Sequence, residues 1–249
     1  MKLIISPAKK MTVNLDDFDY QGLPVYLKQT RQLLAAMRQL SITELQQLWR
    51  TSDRLTQLNF DQLQKMDLTN RLTPAILSFT GIQYQSMAPG ILTSAGLAYL
   101  QKHLRILSGF YGILKPFDGI IPYRLEMQAR LSVDGHTNLY TFWGDRLYQA
   151  LQVSDDHEPI INLASQEYAK AIKPFLKSTD TFVEIKFGQL IGGQFKVRAT
   201  RAKMARGEMV HFIAKNQLTN IAGIKDFDSP NYRYSPTLST HQKMVFIEK

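Results

Sequence analysis

Lys2-Leu3-Ile4-Ile5-Ser6-Pro7-Ala8-Lys9-Lys10 is the stretch that decides how this chain folds. Its apolar run does not alternate with polar residues, so it reads as a strand buried on both faces, central in a sheet. Ser6-Pro7 ends the strand, and the loop leaving it carries Lys9 and Lys10. Loops at the C-terminal ends of such strands are the usual ligand positions of open α/β sheets. Ser6 brings a hydroxyl and the two lysines bring charge suited to phosphate. The plainer account is a proline-stiffened turn with solvated lysines.

Further along, Pro159-Ile160-Ile161-Asn162-Leu163-Ala164 reads as a second buried strand, and Ser165 as the N-cap of a helix over 166–172. Residues 182–191 and 194–200 form the arms of a hairpin turned by Gly192-Gly193. Val245-Phe246-Ile247 is a last short strand. Leu27, Thr30, Leu33, Leu34, Met37 and Leu40 recur at helical spacing. Ser41-Ile42-Thr43-Glu44 then forms a capping box ahead of Leu45, Leu48 and Trp49. Residues 54–79 read as mainly helical, broken by Pro74. Leu97, Leu100, Leu104 and Leu107 predict a helix over 97–108, stopped by Ser108-Gly109. Residues 140–152 and 201–217 also read as helices. Strands and helices alternate irregularly, with hairpin signals among them. The expected class is α/β in its mixed α+β form: one domain over 1–249, with a mixed β-sheet surrounded by helices.

Composition narrows the function. The chain has 249 residues, 44% of them apolar, which suits a folded protein with a sizeable core. No apolar run approaches the roughly 20 residues that span a bilayer. The opening run is too short for a signal-peptide core, so a cytoplasmic protein is expected. The absence of cysteine excludes disulfides, thiolate metal sites and cysteine nucleophiles. There is no Walker loop, dinucleotide fingerprint, His-Glu-x-x-His or nucleophile elbow. Histidines 103, 136, 157, 211 and 241 are scattered, so neither a metal nor another cofactor is expected.

The net charge is +9. Residues 181–249 carry 11 cations against 5 acids, whereas residues 101–180 carry 9 of each. Lys196, Arg198, Arg201, Lys203 and Arg206 are the densest group, with no acid between them. Lys203 and Arg206 are neighbours on a helix surface, and with the arm residues they form a candidate phosphate-binding surface. Solvated faces are the plainer account. In Tyr123-Arg124-Leu125-Glu126, Arg124 and Glu126 share one face of an extended segment. They suit either a polar pocket or a structural ion pair. Asn162, Ser165, Glu167 and Tyr168 gather at a strand-to-helix junction. Glu167 is the acid–base candidate there, against the plainer role of complementing a helix dipole. The glycine-flanked turn in Leu107-Ser108-Gly109-Phe110-Tyr111-Gly112-Ile113-Leu114 resembles a helix-hairpin-helix element. In that motif backbone N–H groups meet DNA phosphates without reading bases. Ser108, Gly109, Gly112 and the following Lys115 would be its contacts. A buried loop after a helix cap is the alternative.

Several motifs occur together in order. They are Ile5-Ser6-Pro7-Ala8-Lys9, the run from Leu104 to Pro116, Pro122-Tyr123-Arg124-Leu125-Glu126-Met127, and Phe142-Trp143-Gly144-Asp145. Ile161-Asn162-Leu163-Ala164-Ser165-Gln166-Glu167-Tyr168 and Ala202-Lys203-Met204-Ala205-Arg206-Gly207 complete the set. In this the chain resembles the YaaA family of bacterial peroxide-stress proteins, essentially from end to end. The resemblance implies a single α/β domain with a helix-hairpin-helix element and a basic cleft. It also implies DNA binding and restraint of free iron under peroxide stress. The cleft would draw on Lys9, Lys10, Arg124, Lys203 and Arg206, and the effect on iron would be indirect.

Two functions follow as expectations. The first is a non-enzymatic protein binding duplex or distorted DNA without sequence specificity, with no membrane and no obligate protein partner. The second is an enzyme acting on a nucleotide or phosphorylated small molecule. There Ser6 and Lys9 hold phosphate, Arg124 orients substrate, Ser165 adds a hydroxyl and Glu167 is the acid–base group. The second requires the Ser6 loop, Arg124 and Glu167 to line one pocket.

Overall fold

The computed structural model describes residues 1–15, 18–152, 158–227 and 229–249; His157 lies outside them. In chain order the strands are β1 (Lys2–Ile5), β2 (Thr73–Pro74), β3 (Leu104–Ser108), β4 (Gly112–Leu114), β5 (Gly119–Ile120), β6 (Ile160–Asn162), β7 (Phe182–Ile191), β8 (Gln194–Lys196), β9 (Tyr232–Tyr234) and β10 (Lys243–Glu248). The helices are α1 (Leu27–Arg38), α2 (Ile42–Trp49), α3 (Asp53–Lys65), α4 (Ala75–Ser78), α5 (Ile82–Met87), α6 (Ser94–His103), α7 (Leu139–Trp143), α8 (Arg146–Leu151), α9 (Gln166–Ala169) and α10 (Ala199–Lys215).

The main sheet has the order β4-β3-β1-β6-β7-β10-β9, with β8 paired to β7. From β3 to β10 neighbouring strands run parallel, while β4, β8 and β9 pair antiparallel at the margins. The sheet is mixed, as expected. β1 is its centre: Leu3 stands beside Leu104 on one side and Ile161 on the other, and Leu3, Ile4 and Ile5 are fully buried. The strand that follows in the sheet, β3, lies to one side of β1, and the next, β6, lies to the other. Strand order therefore reverses at β1. In open α/β sheets such a reversal opens a crevice beyond the C-terminal strand ends.

Local signals hold where they are strong. Ser41 caps α2 with a full capping box: Glu44 N–H donates to Ser41 Oγ, and Ser41 N–H donates to Glu44 Oε2 at 2.8 Å. The predicted 201–217 helix is α10, which packs along α5 and also touches α6 and β7. A Cβ on Gly207 would lie 2.1 Å from Gln83 O, so the two backbones meet directly there.

The helix expected over 97–108 is corrected. It ends at His103, and Leu104 begins a strand instead. The apolar residues Leu104, Ile106 and Leu107 fit a short buried strand as well as a helix stripe, and pairing with β1 decides between them. The helix-hairpin-helix reading of this region fails with it. Ser108 pairs with Gly112 in a β-hairpin of β3 and β4. Ser108, Gly109 and Gly112 are buried, and Ser108 Oγ accepts from Phe110 and Tyr111 N–H. All three are enclosed by the protein, so none forms the exposed turn that the motif requires.

The core runs continuously under both faces of the sheet. One acid is caught in it. Burial pushes the Asp118 carboxyl up to about 6, although the Lys115 N–H donates to it at 2.8 Å and Arg105 lies near. A carboxyl raised on folding lets the native state hold the proton longer than the unfolded chain does. Stability then falls as pH rises from about 4 through 6, by roughly 3 kcal/mol for a shift of this size. Asp118→Asn removes that penalty. Urea unfolding should show the variant matching the native chain near pH 4 and exceeding it near pH 7. A variant less stable at pH 7 would contradict this.

Candidate functional site

A cleft of about 450 Å³ opens at the reversal point beside β1. The loop after β1 contributes Ser6, Lys9 and Lys10, the loop after β6 contributes Ser165, and the following α9 contributes Glu167 and Tyr168. Tyr123, Arg124 and Glu126 come from the extended segment after β5, Gln83 and Tyr84 from α5, and Lys203 and Arg206 from α10. The Ser6 loop, Arg124 and Glu167 therefore line one concavity, as the enzymatic reading requires.

The two strand-end loops are tied together. Ser165 N–H donates to Ser6 Oγ at 2.8 Å, and the Ser6 hydroxyl donates to Ser165 Oγ at 3.2 Å. Ser165 has the backbone angles of an N-cap, but its side chain makes no cap bond because it is engaged with Ser6. Tyr84 O–H donates to the Ser6 carbonyl at 2.9 Å. Tyr123 O–H and Ser108 Oγ share a hydrogen bond of 2.7 Å. Burial pushes both phenols up, so they stay protonated and their rings stand as fixed walls. Ser108 thus serves the cleft from beneath. Gly109 does so too: a Cβ there would lie 2.5 Å from Leu125 O, which lets the hairpin sit directly under the segment carrying Arg124 and Glu126.

The electrostatics are two-tiered. Lys9, Lys10 and Lys203 are exposed at the rim, whereas Arg124 and Arg206 are largely withdrawn from solvent. Arg124 Nη2 lies 2.9 Å from Glu126 Oε1, and Lys9 Nζ approaches the same oxygen at 3.4 Å. The expected Arg124–Glu126 pair exists, and it exists inside a pocket. Arg206 loses basicity through burial, which Glu184 partly offsets. The Nε atoms of both arginines are buried and have no hydrogen-bond partner among the described residues. Burial also pushes the Glu167 carboxyl up, as does nearby Glu126, while the Gln128 N–H, donating to Oε1 at 3.2 Å, and Lys9 pull it down.

Four predicted contacts lie elsewhere. Lys196 and Arg198 are exposed but outside the cleft lining, and Arg201 forms an ion pair with Glu248. Lys115 borders a different cavity of about 760 Å³, with Lys2, Lys102 and Arg105. That cavity's inner cations are occupied by the protein itself. Arg105 donates to Leu104 O at 2.7 Å, and Lys2 lies 2.9 Å from Glu158. Tyr84 and Gln83 were not foreseen from sequence, since six residues of α5 show no periodicity. His103 and His211 contact backbone carbonyls through Nδ1, and no metal-binding group of three ligands occurs among the described residues. No helix among them is long and apolar enough to cross a membrane.

Comparison with known proteins gives consistent matches. A family model described as peroxide stress protein YaaA matches residues 1–238. A "UPF0246 protein" of Lacticaseibacillus paracasei is 57% identical over 249 residues, all of both chains. One from Pediococcus pentosaceus is 55% identical, covering 100% of this chain and 98% of its own. One from Ligilactobacillus salivarius is 44% identical across the full length of both.

Proposed function

The chain belongs to the peroxide stress protein YaaA family, and on that premise we propose that it serves the peroxide-stress response by binding DNA without sequence specificity through the basic cleft. Protection of DNA from oxidative damage is the direct effect in this reading, and any lowering of free iron is indirect. The observation that carries it is convergence: Lys9, Lys10, Arg124, Lys203 and Arg206 come from three distant segments and meet in one concavity. Phosphate neutralisation by such cations gives affinity that no base edge modulates. A second depression of about 430 Å³ shares Lys9 and Glu126 with the cleft and adds Arg50 and Arg130. Arg50 sits in the turn between α2 and α3, a two-helix hairpin. In this reading that pair, rather than residues 104–114, is the helical element beside the DNA.

Replacing Lys203 and Arg206 by Ala is expected to weaken DNA binding on all sequences alike. The slope of log affinity against log salt should shrink by roughly 2, one unit for each phosphate-binding cation removed. Lys203→Ala alone should shrink it by about 1, and that exposed site carries no folding penalty. Unchanged affinity of the double variant at low salt would overturn the cleft assignment.

One observation favours a second reading. Ser6, Arg124 and Glu167 line a single pocket, and burial raises the Glu167 carboxyl above its ordinary value, the direction a general acid needs. This suits an enzyme acting on a nucleotide or phosphorylated small molecule. Turnover of such a compound by the native chain and its loss in Glu167→Gln would establish it.

A further inference from the structure

A plain backbone-binding groove has no use for acids, yet this cleft holds two. Glu126 and Glu167 stand close enough to raise the Glu167 carboxyl, and both line the pocket. Glu126 is paired with Arg124, whereas Glu167 forms no salt bridge among the described residues and would repel a continuous phosphate chain running past it. The exposed lysines 9, 10 and 203 offer that chain a path along the rim. The interior is built differently. Its volume of about 450 Å³ falls in the range of small-ligand sites, roughly 300–1,000 Å³, while a duplex with a major groove alone about 12 Å wide cannot enter. Tyr84 and Tyr123 close its floor, their rings packed against Phe79 and Phe110 and their hydroxyls engaged. Two guanidinium Nε donors are buried without partners. Buried donors of that kind are costly unless something outside the protein satisfies them.

We propose that the interior takes one nucleotide extruded from the duplex, with its phosphate on Arg124 and Arg206 and the edge of its base toward the two carboxylates. This rests on the DNA-binding reading and adds what the cleft does with the DNA. Carboxylates accept hydrogen bonds from exocyclic amines, which adenine, cytosine and guanine carry; thymine offers only its ring N3–H, flanked by two carbonyls, and suits the pocket least. Ile82, 39% exposed on the cleft border, is placed to fill the stack left behind, as apolar wedges do in other DNA-bending proteins. Extrusion costs least at mismatched or damaged positions, and the protein would therefore settle at such lesions.

The test uses a duplex carrying 2-aminopurine in a mismatch, followed by anisotropy for binding and by 2-aminopurine emission for unstacking. The native chain should bind and raise emission several-fold at saturation, and Ile82→Ala should cut the rise by at least half. Binding without any rise overturns the extrusion proposal and leaves the DNA reading standing. No binding at low salt overturns both. Calorimetry with free nucleotides gives an independent arm. dCMP should bind at least tenfold more tightly than dTMP; equal affinities, or no binding of either, overturn the base assignment.

Discussion

Gly207→Ala is expected to lower the melting temperature by roughly 2–10 °C. On a helix surface this exchange gains up to about 1 kcal/mol from backbone entropy. Here the new methyl meets Gln83 O at 2.1 Å, Met87 N at 2.9 Å and Ser86 Cβ at 2.9 Å. Two of these are backbone atoms, so no rotamer change makes room. α10 must lift away from α5, and overpacking of that kind costs about 1–3 kcal/mol and sometimes more. For a chain of this size each kcal/mol moves the melting temperature by about 2–4 °C. The lift also moves Lys203 and Arg206 relative to Gln83 and Tyr84 on the adjoining α5, so in the proposed reading DNA affinity should fall along with stability. Gly90 has no atom within 4 Å of a built Cβ, and Gly90→Ala is the control. Equal melting temperatures for the two variants would show that the helix contact is not tight.

The second large effect concerns Arg124. Removing it leaves Glu126, whose side chain is 13% exposed, with only the weaker approach of Lys9. Loss of one partner from a buried pair costs about 3–5 kcal/mol, and partial exposure brings the expectation to about 2–3 kcal/mol for Arg124→Ala at pH 7. Much of that is the penalty of a stranded charge, so Arg124→Ala/Glu126→Gln should recover at least half of it. Chemical denaturation of the four species forms a double-mutant cycle. A double variant no more stable than Arg124→Ala would show that the arginine stabilises by packing instead. DNA affinity separates the roles further, because the double variant regains stability but not the Arg124 contact.

The parts of the fold that were legible in sequence have local signals. The run Leu3-Ile4-Ile5 announces a central strand, Ser41 and Glu44 announce a helix start, and Gly192-Gly193 announces a hairpin. The site was legible to the extent that its residues follow strand ends: Ser6 after β1, and Ser165 and Glu167 after β6. Two things were hidden for physical reasons. Leu104, Ile106 and Leu107 satisfy two periodicities, and only the presence of β1 beside them selects the strand. Lys196, Arg198, Arg201, Lys203 and Arg206 are close in sequence, but Lys196 ends β8, Arg198 precedes α10, and the helix turns by about 100° per residue and separates the other three. Arg201 turns to Glu248 while Lys203 and Arg206 face the cleft. The glycine at 109 was a true signal wrongly interpreted. It serves close approach to Leu125, not a DNA-facing turn.

The central position of β1 also sets a timetable for folding. Its two partners, Leu104 and Ile160, lie about 100 and 158 residues away along the chain. Such non-local pairing slows folding because a long loop must close before any contact stabilises it. At ribosomal rates of about 5–20 residues per second, β1 waits roughly 8–30 s for β6 to be synthesised. Until then its apolar edges are open to other chains, and the Ser6–Ser165 tie cannot form. A nascent or truncated polypeptide therefore has lysines but no cleft. The cleft becomes a property of the finished molecule alone, because its two strand-end loops meet only after β6 has paired with β1.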